Sequence, residues 1–288
     1  MNDRVDVRKT YKLFIGGAFP RSESGRSYEV FDASGLFLAN AASASRKDAR
    51  DAVIAARSGW KAWHRATAYN RGQVLYRIAE VMEGRREQLI AEVIAGEGLG
   101  KRSATAIVDA SVDRIVWYAG WADKFAQVAG NTNPVAGPYF NFSIPEATGV
   151  VATIAPEDSS LLGLISVVLP TITTGNAIIV LASATRPIPA VTLGEILATS
   201  DVPAGVVNIL TGDPSEIAPW LATHADVNAL DLSGVTDVAL ATRLEIDAAG
   251  TVKRVRQPQP DTDWRTNPGL APMRAFVETK TVWHPMGV

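Results

Sequence analysis

Four short, continuously apolar runs stand out in the second half of the chain. They cover residues 150–154, 177–181, 206–210 and 229–232. Helix-like stretches separate them, with Gly or Pro at most of the junctions. Strands that alternate with helices at this spacing form parallel βαβ units, and parallel strands buried on both faces are apolar throughout. The pattern therefore predicts an α/β fold, a Rossmann-like parallel sheet with helices on both faces.

The first half of the chain alternates differently and predicts a few short strands followed by helices. Ser45 with Asp48 three residues later is a capping-box signature for the start of the first helix. Apolar residues then recur at helical spacing through three stretches, so we expect three helices. The predicted strands cover 12–17, 28–32 and 36–41, and the predicted helices begin near residue 46 and cover about 70–94 and 103–128.

Two further segments have the two-residue alternation of exposed strands. Residues 139–144 alternate polar with apolar side chains, and residues 277–284 do the same near the C-terminus. Residues 256–275 hold four of the sixteen prolines and are expected to form an extended linker. An isolated two-stranded ribbon is marginal in water, so the two strands predict a small β-flap that needs a partner surface.

Composition narrows the function classes. The net charge of −2 argues against nucleic acid as a main partner. The chain has no Cys, which excludes thiolate metal sites and a Cys nucleophile, and its three His residues have no metal-ligand spacing, so no metal site is expected. No signal-peptide core is visible, and Pro170 and Gly175 interrupt the one long charge-free stretch. We therefore expect a cytoplasmic protein without a membrane partner.

The segments GVVATIAP, LPTITTGNAIIVL, VPAGVVNILTG and HADVNALDLSGVTD, in this order, resemble the nucleotide-binding domain of the aldehyde dehydrogenases. The resemblance covers roughly residues 10–255 and a short C-terminal piece. It implies a nucleotide-binding domain over 1–255 with a flap strand inserted at about 138–150. A linker over 256–275 would then replace the family's catalytic domain, and a C-terminal flap strand would cover 276–288. In the family the flap strands add to the sheet of a neighbouring subunit, so they imply oligomerisation.

The chain departs from the family at the positions that would carry out catalysis. The resemblance implies a Cys nucleophile, a Glu base and an Asn that stabilises the oxyanion, and the chain has no Cys at all. Asp158 stands at the Asn position, where a carboxylate would repel an oxyanion. The sequence RQPQPD replaces the segment that carries the Glu base. We therefore assign no catalytic residue and expect no independent aldehyde dehydrogenase activity.

The segments that match the family's cofactor site also lack a binding residue. The segment LASATRP after the second apolar run contains no Lys, although the family binds the adenosine ribose with one there. NAD(P) binding thus enters only through the resemblance, and no cofactor is expected. Backbone amides at a helix start can still hold a phosphate. The positions that match the family's cofactor-binding residues, as vestiges, are Ile154, Ala155, Pro156, Gly212, Ser233 and Gly234.

The sequence as a whole favours a non-catalytic chain, or pseudoenzyme, similar to the cysteine-free second module of two-module aldehyde dehydrogenases. Its expected partner is a catalytic aldehyde dehydrogenase subunit, or a second copy of itself, bound through the β-flap. Two alternatives stay open. One is a residual NAD(P)-binding protein. The other is an enzyme with altered chemistry at the Glu157–Asp158 loop, since α/β folds place their sites at the carboxyl ends of strands.

Overall fold

The computed structural model describes residues 8–287 and begins with a small sheet followed by helices. The sheet has the order β1-β3-β2, with β1 parallel and β2 antiparallel to β3. In chain order the elements are β1 (Thr10–Tyr11), β2 (Ser27–Phe31), β3 (Phe37–Ala42), α1 (Arg46–Trp63), α2 (Ala68–Gly84), α3 (Arg86–Glu97), α4 (Lys101–Trp121) and α5 (Phe125–Ala129).

The second half holds the central sheet and a separate ribbon. Its elements are β4 (Asn131–Asn133), β5 (Tyr139–Ala147), β6 (Val150–Ile154), α6 (Leu162–Thr173), β7 (Ala177–Leu181), α7 (Ile188–Leu197), β8 (Val207–Leu210), α8 (Pro214–Thr223), β9 (Ala229–Asp231), α9 (Val238–Ala249), β10 (Arg254–Arg256), α10 (Ala271–Arg274) and β11 (Val277–Pro285).

The central sheet is parallel throughout and has the order β10-β9-β6-β7-β8. Alternate residues of β7 point to opposite faces. Ile178 and Val180 belong to a core shared with α2, α3, α4, α6 and α7, whereas Ile179 and Leu181 belong to a core shared with α1, α8 and α9. Helices thus cover both faces, and the predicted α/β fold is confirmed.

Two of the three predicted helices are in fact broken. Gly84 ends α2 and Arg85 leaves helical geometry, with φ −110° and ψ 13°, before α3 begins. Glycine is a poor helix former, and the Arg85 side chain is drawn to Glu195 on α7. The stretch from 103 to 128 likewise divides into α4 and α5. The strand expected over 12–17 is reduced to isolated bridges, one of them between Phe14 and Ile209.

The charge-free stretch of residues 159–185 folds as α6, a turn at Gly175 and β7, all inside the core. Within residues 8–287, no helix combines the length and the apolar character that crossing a membrane requires.

β5 and β11 pair antiparallel over nine residues each, and β4 lies on the other edge of β5; we call these three strands the ribbon. The alternation in β5 is as expected, but none of the three apolar side chains at 140, 142 and 144 is buried. Phe140 is 48% and Ile144 is 37% exposed, whereas Asn141 is 3% exposed. The Asn133 amide donates to the Asn141 side-chain oxygen and to Ser143 Oγ, whereas the buried Asn141 side-chain amide has no hydrogen-bond partner within residues 8–287.

The segment between β10 and β11, expected to be an extended linker, is packed against the body instead. Met273 in α10 is fully buried, and Trp264 and Leu270 pack on the larger core. The Arg114 guanidinium on α4 donates to the backbone carbonyls of Trp264 and Thr266 at 2.7 and 2.8 Å. These contacts fix the segment to the body, and we call residues 257–275 the strap.

Candidate functional site

The loops that follow β6, β7, β8 and β9 meet at the carboxyl edge of the central sheet. Of the six predicted positions, Ile154 ends β6 and Ala155 and Pro156 follow it, while Ser233 and Gly234 follow β9. A side chain at Gly234 would place its Cβ 2.6 Å from the Ile154 carbonyl oxygen and 2.7 Å from the Pro156 nitrogen. The structure thus brings these five residues together, and the close approach of the two loops requires glycine at position 234.

Gly212, the sixth position, lies elsewhere along the same edge. It follows β8 with φ +133°, and a Cβ on it would meet the Ala44 nitrogen at 3.2 Å. Thr211 beside it donates from its hydroxyl to the Ala42 carbonyl. Gly212 therefore faces the small N-terminal sheet, not the loops after β6 and β9.

Ser233 forms hydrogen bonds with both members of a buried ion pair, Asp231 and Arg256. Asp231, 1% exposed, accepts from the Ser233 backbone amide at 2.9 Å and pairs with Arg256 at 3.2 Å. Arg256 also donates to Ser233 Oγ at 3.3 Å. A buried pair of this kind needs its remaining polar atoms satisfied, and Ser233 contributes to that.

Glu157, in the loop after β6, reaches across to the loop after β7. Its carboxylate accepts from Ser183 Oγ at 2.7 Å, from the Ala184 amide at 2.6 Å and from Thr185 Oγ1 at 2.9 Å, with the Thr185 amide at 3.4 Å. Arg186 donates to the Glu157 carbonyl at 3.0 Å. This one side chain joins the two loops at the middle of the sheet edge.

Asp158 is exposed, so the structure does not present it with Glu157 as a buried carboxylate pair. The helix behind the loop is capped by a neutral group: the Gly163 amide donates to Ser159 Oγ at 2.9 Å. Glu97 at the end of α3 accepts from both the Ser160 amide and its hydroxyl. The hydroxyls of this loop hold its shape, and no acid–base pair forms there.

A cavity of about 710 Å³ opens beside the Glu157 contact. Residues 184–186 form one wall, the start of α8 another and the small N-terminal sheet a third. Its side chains include two cations, several carboxylates and two aromatic rings. The cations are Arg26 and Arg186, the rings belong to Tyr28 and Phe31, and the carboxylates belong to Glu29, Asp32, Asp213 and Glu216.

Tyr28 is one of the polar groups that line this cavity. Its hydroxyl is buried and has no hydrogen bond of normal geometry within residues 8–287. Burial, and then the negative charge of Glu157, raises the pKa of Tyr28, and the Gly212 backbone amide offsets this in part. The hydroxyl therefore stays protonated and available as a donor.

Sequence reasoning missed Ser183, Thr185 and Tyr28. Two hydroxyls directly after a buried strand were the available signal for the first two. Tyr28 lies far away in sequence, and it is placed here by the hydrogen bonds that join the end of the small sheet, at Ala42 and Ala44, to Thr211 after β8. No group of three or more His, Asp or Glu side chains suited to a metal ion occurs in the part of the chain that the structure describes.

The sequence profile of the aldehyde dehydrogenase family matches residues 19–256. The chain belongs to the aldehyde dehydrogenase family. The matched region ends where β10 ends, so the strap and β11 lie outside it.

Curated aldehyde dehydrogenase relatives support this membership. Retinal dehydrogenase 2 of Gallus gallus is 31% identical over 260 residues, covering 87% of this chain and 48% of the relative. An aldehyde dehydrogenase family 2 member of Arabidopsis thaliana, described as mitochondrial, is 32% identical over 241 residues. It covers 82% of this chain and 44% of the relative. The chain thus spans about half the length of the curated relatives it matches.

Solved aldehyde dehydrogenases share the fold. The NAD-dependent enzyme of Sinorhizobium meliloti superposes with a TM-score of 0.81 at 25% identity, covering 86% of this chain and 50% of the other. The NAD+ complex of the Bacillus cereus enzyme gives a TM-score of 0.80, also at 25% identity and with the same coverage. The family's Rossmann-like fold is therefore present in this chain.

Proposed function

We propose that this chain is a non-catalytic member of the aldehyde dehydrogenase family that binds a catalytic member through its ribbon. The observation that carries the proposal is the exposed apolar surface of the ribbon: Phe140 is 48% and Ile144 37% exposed on one face, and Tyr139 is 41% and Trp283 57% exposed on the face that Asn141 shares. A folded chain gains by covering such a face.

The chemistry of the chain supports a non-catalytic role. Aldehyde oxidation in the family uses a thiolate, and none of the 288 residues is Cys. A serine at its normal pKa is a poor substitute for a thiolate. Asp158, at the position where the family has its oxyanion amide, is exposed and would repel a developing negative charge.

The geometry of the ribbon supports the docking mode. β11 is an edge strand, so one side of its backbone has no neighbouring strand among the described residues. Lys280 and Glu278 lie along it, and charges of this kind limit indiscriminate pairing. An edge strand next to an apolar face is suited to addition onto the sheet of another chain. Because the aldehyde dehydrogenases share this fold, a family member is the proposed partner.

The test is a tagged pull-down from the native host, with the eluate sized and its proteins identified by mass spectrometry. A stoichiometric full-length aldehyde dehydrogenase is expected. The double variant Phe140→Ser plus Ile144→Ser should lose it, whereas Tyr69→Ser, which removes a 63% exposed aromatic ring on α2, should retain it. Elution of the wild-type chain alone, or with a second copy only, would contradict the proposed partner.

That the chain is located in the cytoplasm stays a prediction.

NAD(P) binding is a second candidate function. It is favoured by the superposition on the NAD+ complex of the Bacillus cereus enzyme at a TM-score of 0.80. The tightly packed loops of residues 154–156 and 233–234 are the proposed vestige of the cofactor site, with Gly212 farther along the edge. Isothermal titration with NAD and NADP tests this. No saturable heat with either nucleotide would remove the candidate.

New chemistry at the Glu157–Asp158 loop, the remaining alternative, receives no support from the geometry. Glu157 is occupied by donors from the loop after β7, whereas Asp158 is exposed. A general base needs a carboxylate that can reach a substrate proton.

A further inference from the structure

A pocket of about 270 Å³ lies between the first two turns of α1 and the end of α8, and we call it the α1–α8 pocket. Arg46 and Arg50 contribute two guanidinium groups to it, His224 an imidazole and Trp220 an indole ring, and none of the described residues that line it carries a carboxylate. Its lining includes no residue of the loops that follow β6, β7, β8 and β9. The pocket is therefore separate from the candidate site at the carboxyl edge of the sheet.

Arg46, the first residue of α1, is a cation without a carboxylate partner. It forms no ion pair within residues 8–287, and its guanidinium lies over the Trp220 ring, 4.0 Å from the ring centroid. The N–H donors of a guanidinium lie in its own plane. A guanidinium held against a ring can therefore still bind a carboxylate through two parallel hydrogen bonds. The indole thus fixes the position of this cation without neutralising its charge.

The carboxylates next to the pocket compete with a bound anion only in part. Asp51 lies 3.3 Å from Arg50, and both side chains are about half exposed. Glu216, on α8, pairs with Arg26 at 3.8 Å and does not line the pocket. Exposed pairs of this kind contribute little, so the Asp51 contact can be exchanged for another carboxylate. Together with the unpaired charge of Arg46, this leaves the pocket positively charged.

The end of α8 is covered, which limits the repulsion of an anion by its last carbonyls. Lys253 donates to the His224 carbonyl at 2.7 Å, and the Thr223 hydroxyl donates to the Pro219 carbonyl at 2.9 Å. His224 Nδ1 accepts from the Asp226 amide at 3.1 Å, so the neutral ring carries its proton on Nε2 and can donate from there. The positive end of the α1 dipole also favours an anion at this position.

We propose that the α1–α8 pocket binds a small aromatic carboxylate. The carboxylate accepts from Arg46 and Arg50, and the ring packs on the 43% exposed Trp220, as aromatic rings do. Ala49 and Leu221, both buried, supply an apolar floor. The volume lies below that of pockets for drug-sized ligands, which limits the ligand to about one or two rings. This proposal goes beyond the proposed subunit role and does not rest on the ribbon.

The experiment titrates the full chain with benzoate at constant ionic strength, because salt screens exposed charges. NMR follows the indole N–H resonance of Trp220, which is identified by its loss in Trp220→Phe. Benzoate should shift this resonance saturably. Arg46→Gln should bind benzoate about tenfold more weakly, because a bidentate charge-assisted pair is lost. Arg46→Lys should also bind it more weakly, since an ammonium does not reproduce the fork. Arg50→Gln is the second variant and should change the affinity in the same direction.

Lys47→Gln is the matched control, because it removes the same charge from the next position, where the side chain pairs with Glu23 instead of lining the pocket. It should bind benzoate as the wild type does. Benzyl alcohol, which has the ring without the charge, and acetate, which has the charge without the ring, should both bind more weakly than benzoate. The proposal is overturned if benzoate causes no saturable shift of Trp220, or if Lys47→Gln loses as much affinity as Arg46→Gln. It is also overturned if benzyl alcohol, acetate or inorganic phosphate binds as tightly as benzoate.

Discussion

Arg114 on α4 shows how one residue can hold a segment of the chain in place. It is only 7% exposed, and its three hydrogen-bond partners are neutral oxygens: Ser166 Oγ at 2.6 Å and the carbonyls of Trp264 and Thr266. Burial lowers its pKa, although a guanidinium stays charged. The charge is satisfied only while the strap is in position.

Arg114→Ala should lower the free energy of unfolding by about 2–4 kcal/mol, because two part-buried carbonyls and the buried Ser166 hydroxyl lose their charged donor. Arg114→Lys should also be destabilising, since an ammonium does not reproduce the fork. Urea unfolding measures the loss, and limited proteolysis should show earlier cleavage within residues 257–270. Arg102→Ala, an exposed position on the same helix, is the control. Equal stability of the two alanine variants would contradict the role of Arg114.

Glu92 on α3 makes stability depend on pH. Burial raises its pKa, and the hydrogen bonds from Thr192 and Gln88 offset this only in part. The folded chain therefore holds this proton more tightly than the unfolded chain. The stability it gives is lost as the pH rises from the unfolded-state pKa through the higher folded-state value.

Glu92→Gln removes the charge and keeps the volume, so its stability relative to the wild type should be higher at pH about 7 than at pH about 4. Urea midpoints at the two pH values provide the comparison. Glu87→Gln, an exposed change on the same helix, serves as the control and should lack this trend. A difference that is the same at both pH values would show that Glu92 is not the titrating group.

At the scale of elements, the start of α1 is held by more than its cap. Ser45 Oγ accepts from the Lys47 and Asp48 amides, and Asp48 accepts from the Ser45 amide at 2.8 Å, as the capping-box signature predicts. Asp48, 4% exposed, also accepts from Ser22 Oγ at 2.8 Å and from the Glu23 amide at 3.2 Å. The same carboxylate thus ties the helix to the preceding loop.

Ser45→Ala should cost about 1 kcal/mol of stability, the usual value for an N-cap. Asp48→Ala should cost more, about 2–3 kcal/mol, because buried donors from two segments lose their acceptor. Chemical denaturation of both variants decides this, with the exposed Lys47→Ala as the reference. Equal losses for Ser45→Ala and Asp48→Ala would mean that the contacts to residues 22 and 23 contribute nothing.

The sequence pattern predicted an element correctly where a local property of the sequence determines it. The runs at 150–154 and 177–181 form strands with those same bounds, because a short, continuously apolar run is typical of a parallel strand that is buried on both faces. The pattern was insufficient where long-range contacts determine the conformation of a segment. Prolines predicted an extended linker, but Arg114 and the burial of Met273 fix that segment to the body. The break at Arg85 likewise depends on Glu195, a residue 110 positions away.

The same distinction between local pattern and long-range contact applies to the candidate site. A resemblance of segments was enough to place Ile154 and Gly234 at one sheet edge, where the structure has them in contact. The partners of Glu157 were not predictable, because its hydrogen bonds cross to the neighbouring strand's loop at a distance of 26 to 28 residues. Pairing between loops depends on the twist and register of the sheet, which no local pattern specifies.

The whole molecule combines a well-buried sheet with an uncovered ribbon. All ten residues of β6 and β7 are buried, whereas most of β11 is exposed. Hydrogen exchange of the isolated chain should therefore be slowest in β6 and β7 and fastest in the ribbon, because local opening follows burial. Mass spectrometry resolves both regions. Ribbon amides as slow as those of β7, in the chain alone, would show that a second copy already covers the ribbon.

Asn176, fully buried at the turn before β7, fixes the base of the ribbon. Its side-chain oxygen accepts from the Gly149 amide, where β5 gives way to β6, and its amide donates to the Phe276 carbonyl, just before β11, both at 2.8 Å. Arg256, at the far end of the intervening segment, is anchored to Asp231. Both ends of residues 257–275 are therefore anchored by contacts separate from those that Arg114 and Met273 make within the segment. A foreign domain whose own termini lie close together could thus be inserted at the exposed Asp261, provided that Trp264, Thr266 and Met273 keep their contacts, and the sheet and the ribbon would keep their relative placement.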